Sequence, residues 1–89
     1  MPRVALASFL TNVCPAAGGE FAGTTVRGVL DQLFTASPAL RTYVLDDQGA
    51  LRKHVTVFLD SSPITDREHL SDVVRPDSDL FIMQALSGG

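Results

Sequence analysis

The residues best suited to chemistry lie at the end of the chain, which closes with Leu86-Ser87-Gly88-Gly89. Glycine carries no side chain, so a Gly-Gly pair makes a thin, adaptable segment that can enter a narrow channel. Beyond Ala85, an extended segment of this length reaches roughly 13 Å, enough to place a carboxylate in the active site of another protein. The alternative is a frayed end or a remnant of cloning. The sequence makes the Gly89 carboxylate the candidate reactive group.

Metal and thiol chemistry are not indicated. Cys14, His54 and His69 are the soft metal ligands in the sequence, and they match no zinc pattern, in which paired ligands lie about two to five residues apart. No activating base accompanies Cys14, and a single cysteine cannot form an internal disulfide. We therefore expect neither a metal site nor a bound cofactor.

A helix is the clearest of the elements that must position the closing segment. Thr24 and Thr25 offer a hydroxyl to cap its start, and Pro38 ends it. Apolar residues then recur with the spacing of one helical face, at Val26, Val29, Leu30, Leu33 and Phe34.

Several runs have the composition of strands. Val4 to Phe9 is apolar with weak alternation, which favours a central place in a sheet. His54 to Leu59 alternates clearly, Leu80 to Leu86 forms the last strand, and a short strand is expected around Glu20 to Ala22. The core-facing positions of the run that begins at His54 are Val55, Val57 and Leu59.

The remaining segments are shorter. Ala39 to Leu45 is predicted as a short helix, and Asp60 to Pro63 as a turn. Ile64 to Val74 is mixed in character. The expected buried residues are Leu40, Tyr43 and Val44 in the short helix, and Leu70, Val73 and Val74 in the mixed segment.

The order of the elements predicts the fold. A hairpin, a crossing helix and a returning strand make a mixed sheet with one main helix on one face, and the first and last strands then lie parallel at its centre. This α+β arrangement is the β-grasp, or ubiquitin-like, fold. Residues 1–86 are expected to form this domain, and residues 87–89 a flexible C-terminal tail that ends in Gly-Gly.

An apolar patch for docking is predicted beside the tail. Phe58 and Phe81 fall on the outward phase of their strands, and Met83 continues that phase. Exposed apolar surface of this kind marks partner sites. The alternative is that a loop, or the segment around Ile64, covers these side chains. The predicted partner-binding residues are Phe58, Phe81, Met83, Leu86, Ser87 and Gly88, with Leu86 anchoring the root of the tail.

Charge and hydropathy exclude two classes of partner. The chain has 7 Lys and Arg against 10 Asp and Glu, for a net charge of −3, and such a surface repels nucleic acid and suits a basic partner face. No run approaches the roughly 18–20 apolar residues of a membrane helix, and the first residues do not form a signal peptide. The expected location is the cytoplasm.

Several motifs together carry a resemblance to a known family. They are the opening strand, Thr24 to Leu30, Leu51 to Val55 leading into Val57-Phe58-Leu59, Pro76 to Leu80, and the closing Gly88-Gly89. In their order and spacing, and over essentially its whole length, the chain resembles the MoaD/ThiS family of ubiquitin-like (β-grasp) sulfur carriers. Members of that family usually have Asp-Gly-Asp where this chain has Asp77-Ser78-Asp79, and often an Asn-Gly turn in place of Asp60-Ser61-Ser62.

The resemblance implies a chemistry centred on Gly89. An ATP-dependent adenylating enzyme of the ubiquitin-activating type would adenylate the Gly89 carboxylate, and sulfur from a persulfide would displace AMP to leave a thiocarboxylate. An acceptor enzyme would then use that sulfur in cofactor or metabolite biosynthesis, with molybdopterin or cysteine synthesis favoured by the length of the chain. ATP belongs to the partner, and the chain is a covalent co-substrate or small subunit rather than an enzyme.

Two other functions remain open at this point. A ubiquitin-like modifier would use the same activation but join Gly89 to a lysine. A non-covalent β-grasp interaction module would not use its tail at all.

Overall fold

The structure is a computed structural model that describes residues 1–7 and 18–84. Within these residues it has five strands and two helices. The strands are β1 (Arg3–Leu6), β2 (Gly19–Glu20), β3 (Val55–Leu59), β4 (Ser62–Pro63) and β5 (Asp79–Gln84). The helices are α1 (Val26–Ala36) and α2 (Ala39–Val44).

All five strands form one mixed sheet in the order β2-β1-β5-β3-β4. β1 runs parallel to β5, with Val4 opposite Leu80, whereas β3 pairs with β5 in the antiparallel sense, with Val57 opposite Ile82. The prediction that the first and last strands run parallel inside the sheet is confirmed. The fold is the β-grasp that the order of elements predicted.

Helix α1 begins and ends where the sequence predicted. Thr25 has an extended backbone, and its Oγ1 accepts a hydrogen bond of 3.1 Å from the Gly28 N–H. At the other end the Ser37 N–H donates to the Leu33 carbonyl, just ahead of Pro38. The five residues of the apolar stripe are each at most 5% exposed, which confirms the predicted buried face.

The core lies between α1 and one face of the sheet. Gly23 lets the chain pass close to the start of the helix, because a Cβ at this position would lie 2.6 Å from the Val29 nitrogen. Alternate residues of the central strands are buried on the same side: Val4, Val55, Val57, Leu80 and Ile82.

Two of the expected buried residues are exposed, and those predictions are wrong. Tyr43 is 42% exposed, whereas Leu40 and Val44 are buried, because α2 has only six residues and this i, i+4 pair fills its narrow contact with the core. Val73 is 74% exposed. The chain is extended there, so the burial of Val74 turns the side chain of Val73 outward.

The turn predicted from Asp60 to Pro63 is wrong in its second half. Asp60 and Ser61 alone make the turn, with φ of 50° and 74°, and Ser62–Pro63 returns along β3 as β4. Positive φ at both central residues suits a two-residue hairpin, and Asp tolerates that conformation better than most residues.

Other boundaries shift slightly. β2 is Gly19–Glu20 rather than Glu20 to Ala22, β3 starts one residue after His54, and β5 starts at Asp79, one residue before the predicted start. Of the predicted first strand, Ser8 and Phe9 lie outside the described residues, as do Ala85 and Leu86 of the predicted last strand.

Candidate partner-binding site

The face of the sheet opposite α1 carries an apolar patch. Phe58 of β3 lies directly opposite Phe81 of β5, and Ala5 of β1 lies on the other side of Phe81. Met83 follows on β5 and pairs with Thr56. Phe81 is 40% exposed, while Phe58 and Met83 are half-buried. The structure brings together the three strand residues that the sequence assigned to docking, and Phe58, Phe81 and Met83 are called the sheet-face patch below.

A cavity of about 530 Å³ flanks Phe81. Arg3, Glu20 and Asp79 line its polar side. Arg3 Nε donates to Asp79 Oδ1 at 3.0 Å, and both side chains are largely exposed. An exposed ion pair of this kind is worth about 0–1 kcal/mol, so it adds little to the stability of the fold.

The sheet-face patch extends along β5 toward the closing segment. Gln84, the last described residue, lies opposite Val55 at the start of β3. The remaining predicted site residues lie outside the described residues, and their roles stay predictions: Leu86, Ser87, Gly88 and Gly89.

Cations gather at this end of the sheet. Arg52 and Lys53, both exposed, come shortly before Val55. Arg67 Nη2 donates to the Arg52 carbonyl at 2.8 Å and to the Val55 carbonyl at 2.7 Å, and Arg52 Nε donates to the Thr42 carbonyl at 2.6 Å. The sequence prediction missed this group. Arg52 and Lys53 are adjacent in the chain, but only the fold brings Arg67 to them.

At the opposite end of the sheet, the Asp60 carboxylate accepts hydrogen bonds from its neighbours. Asp60 Oδ1 accepts from the Asp79 N–H at 2.9 Å, and Asp60 Oδ2 accepts from the Ser78 hydroxyl at 3.1 Å. Ser78 is buried, and its Oγ accepts from the Arg75 N–H at 3.0 Å. The Asp79 N–H, and then the Ser78 hydroxyl, hold the pKa of Asp60 below its usual value.

The loop that carries Arg67 is held by its own carboxylates. Asp66 accepts bonds from the Ser71 hydroxyl and from the His69 N–H, and these two bonds, in that order of size, lower the pKa of Asp66 to about 2. Asp72 Oδ1 accepts from the Asp66 N–H at 2.9 Å. Arg67 therefore projects from a loop with a defined shape.

Within residues 1–7 and 18–84, no group of three or more His, Cys, Asp or Glu side chains is arranged to hold a metal ion. Cys14 lies outside these residues, and His54 is exposed just before β3. Neither described helix has the length and apolar character needed to cross a membrane.

Known proteins resemble this chain in structure more than in sequence. No model of a protein family matches the sequence, and no curated protein gives a significant match. SAMP1 from Haloferax volcanii aligns with a TM-score of 0.81 at 26% identity, over 99% of this chain and 98% of that one. A chain of the BexX/CysO complex from Amycolatopsis orientalis aligns with a TM-score of 0.85 at 17% identity, over 100% of both chains. Urm1 from Trypanosoma brucei aligns with a TM-score of 0.68 at 20% identity, over 99% of this chain and 94% of that one.

The bacterial match and the trypanosomal match are each under 25% identical to this chain, so they show similarity of fold alone. The archaeal match, at 26% identity, shows similarity of sequence as well. All three cover nearly the whole of both chains, so the likeness is not confined to one motif. The structural neighbours of this chain are ubiquitin-like β-grasp proteins of the sulfur carrier and modifier type, the group that its sequence resembles.

Proposed function

We propose that this chain is a sulfur carrier whose Gly89 carboxylate is activated by an ATP-dependent adenylating enzyme. The carboxylate oxygen is a poor leaving group, and adenylation replaces it with AMP, which leaves readily. The terminal sulfur of a persulfide then displaces AMP to form an acyl disulfide at Gly89. A second thiol of the sulfur donor attacks that disulfide, which leaves a disulfide on the donor and a thiocarboxylate at Gly89. That sulfur is nucleophilic at neutral pH, as transfer to a biosynthetic intermediate requires.

The position of β5 is the observation that carries the proposal. β5 is paired on both sides, with β1 and with β3, and it leads to Gln84, five residues before Gly89. A strand fixed in the middle of a sheet is a firm base from which a short glycine-ended segment can reach a partner. The similarity to small carrier and modifier proteins supports the same assignment.

The sheet-face patch is the proposed docking surface. Phe81 is a large apolar side chain that is 40% exposed on a strand leading to the tail, and its neighbours Phe58 and Ala5 extend the apolar area. An apolar centre with a polar rim is the usual build of a protein–protein interface, and here Arg3, Glu20 and Asp79 stand on one side of it. In this scheme the chain supplies the acyl group and the surface, and its partners supply ATP and the catalytic groups.

The partners proposed are an adenylating sulfurtransferase and an acceptor enzyme, acting in the cytoplasm. One structural neighbour was captured in a complex, BexX/CysO, which supports a chain of this shape working while docked on a second protein. Molybdopterin and cysteine synthesis are the favoured destinations for the sulfur.

A modifier function is the second candidate, because one structural neighbour is named a small archaeal modifier protein. The same adenylate would then pass to a lysine and form an isopeptide bond at Gly89. The two functions share activation and diverge at the final acceptor.

ATP–pyrophosphate exchange tests the shared step. The purified adenylating enzyme of the same organism should catalyse exchange with the full chain and none with a chain that lacks Gly88 and Gly89. Equal exchange with both chains would contradict activation at Gly89. Adding a persulfide donor together with a thiol reductant should then give a thiocarboxylate, whereas isopeptide-linked adducts formed in its place would favour the modifier.

A further inference from the structure

The charge of this chain is distributed unevenly between the two ends of the sheet. The overall charge of −3 would favour a basic partner. The end at Val55 and Gln84, however, carries the cations Arg52, Lys53 and Arg67. Three cations therefore lie near the start of the closing segment in a chain whose net charge is negative.

Two of these cations are held in place by the fold. Arg67 is fixed by the carbonyls of Arg52 and Val55, and Arg52 by the carbonyl of Thr42. Bonds to carbonyl oxygens orient a guanidinium without neutralising its charge. Lys53 lies between them in the chain and is exposed.

No carboxylate in the described residues pairs with these three cations, since the ion pair found there joins Arg3 to Asp79 at the other end of the sheet. Of the two acidic residues that flank Arg67 in the chain, Asp66 accepts a hydrogen bond from Ser71, and Glu68 lines a cavity together with Arg27. Residues 8–17 and 85–89 contain no Asp or Glu, and the carboxylate among them is that of Gly89, which the partner takes up in the proposed function.

We propose that Arg52, Lys53 and Arg67 form a cationic rim that docks on acidic side chains around the channel by which the adenylating partner admits Gly89. The proposal rests on the proposed function and adds the chemistry of the partner's surface. The rim adjoins the sheet-face patch, because Met83 and Gln84 are neighbours on β5 and Gln84 lies opposite Val55. Charges at the rim of an interface steer encounter and fix orientation more than they add affinity.

An acidic protein surface fits the rim better than a nucleotide phosphate does. Phosphate sites are concave and surround the anion with converging donors. Neither the cavity beside Phe81 nor the cavity beside Arg27 is lined by Arg52, Lys53 or Arg67. The rim instead presents spaced cations next to an apolar surface, which is the pattern of a protein interface.

Lys53→Glu tests the rim without disturbing the bonds that Arg52 and Arg67 make. Arg75→Glu is the matched control, because it makes the same change in net charge at an exposed position beside Ser78, at the opposite end of the sheet. We expect Lys53→Glu to lower kcat/KM for the carrier in ATP–pyrophosphate exchange roughly threefold to tenfold at low salt. The effect should lie in KM for the carrier and should shrink at high salt, while Arg75→Glu and Lys53→Arg stay close to wild type.

Three results would contradict the proposed role of the cationic rim. Equal kinetics for Lys53→Glu and Arg75→Glu would show that only net charge matters. A rise in KM for ATP, with KM for the carrier unchanged, would assign the cations to the nucleotide. Absence of exchange with the wild-type chain would remove the proposed function and the rim together, and that result differs from a wild-type chain that is active alongside an unimpaired Lys53→Glu variant.

Discussion

Strands β3 and β5 are neighbours in the sheet, and the polar groups at the two ends of this pair are bonded in different ways. At one end, Asp60 bonds Ser78 and the backbone of Asp79, so polar groups are satisfied within the chain. At the other end, cations are oriented by carbonyls but lack carboxylate partners in the described residues. One end therefore serves the stability of the fold, and the other is the end at which we propose that a second protein docks.

The two faces of the same strands show a similar division. On the helix side, Val57 and Ile82 are fully buried. On the open side, Phe81, which precedes Ile82 on β5 and pairs with Phe58, remains 40% exposed. Because the side chains of a strand alternate, one strand can hold the core and present an interface.

The largest effect on adenylation is expected from Phe81→Glu, which places a charge in the sheet-face patch. A charge in the centre of the sheet-face patch would have to be desolvated on docking, so kcat/KM for adenylation should fall at least about tenfold. The fold should persist, because the side chain already faces solvent. Circular dichroism and thermal unfolding check the fold, and pyrophosphate exchange checks docking.

Val73→Glu is the matched control for this prediction. Val73 is 74% exposed and lies outside the patch, so the same charge there should leave adenylation near the wild-type rate. If both variants lose activity equally, or if neither does, the assignment of docking to the sheet-face patch fails.

A smaller effect, on stability, is expected from Ser78→Ala at the end of the sheet where Asp60 bonds Ser78 and Asp79. Ser78→Ala removes the acceptor of the Arg75 N–H inside a buried site, and such a loss costs about 1 kcal/mol of the free energy of unfolding. Urea denaturation should show a lower midpoint with an unchanged slope, and adenylation by the partner should be unaffected. A loss of adenylation without a loss of stability would mean that the two ends do not divide their roles in this way.

The smallest effect concerns the loop behind Arg67. The pKa of Asp66 is lowered to about 2 in the folded chain, from an unfolded value of 3.8. The ionised form is therefore favoured by folding, so this contribution to stability is present above pH 3.8 and is lost as the pH falls toward 2.

Ser71→Ala should raise the pKa of Asp66, because it removes the largest of the bonds that lower it. The variant should then lose less stability than wild type between pH 4 and pH 2, and NMR titration of the Asp66 carboxyl measures the shift directly. A pKa that does not move on this substitution would contradict the bonding assigned to the loop.

The elements governed by local periodicity were predictable from the sequence. The stripe from Val26 to Phe34 and the alternation of β3 and β5 depend on residues close in the chain, and the structure agrees with both. Tyr43 and Val73 were misplaced because burial there depends on what packs against them. The pairing of Ser62–Pro63 depends on positive φ at Asp60 and Ser61, which composition alone did not reveal.

The candidate site was predictable only in part. The phase of Phe58, Phe81 and Met83 followed from alternation, but the meeting of Arg67 with Arg52 is a contact across the fold. A contact across the fold also joins the two places where this chain departs from the family pattern, Asp77-Ser78-Asp79 and Asp60-Ser61-Ser62. Ser78 and Asp60 bond each other, so these replacements form one unit that separate motifs could not reveal.

Sulfur carriage at Gly89 is tested by the intact mass of the chain purified from its own cells, with fragmentation of its C-terminal peptide. We expect a population that is heavier by the difference between one sulfur and one oxygen, with the change located at Gly89. A C-terminal peptide that carries only oxygen, even when the adenylating enzyme, ATP, a persulfide donor and a thiol reductant are supplied together, would contradict sulfur carriage at Gly89.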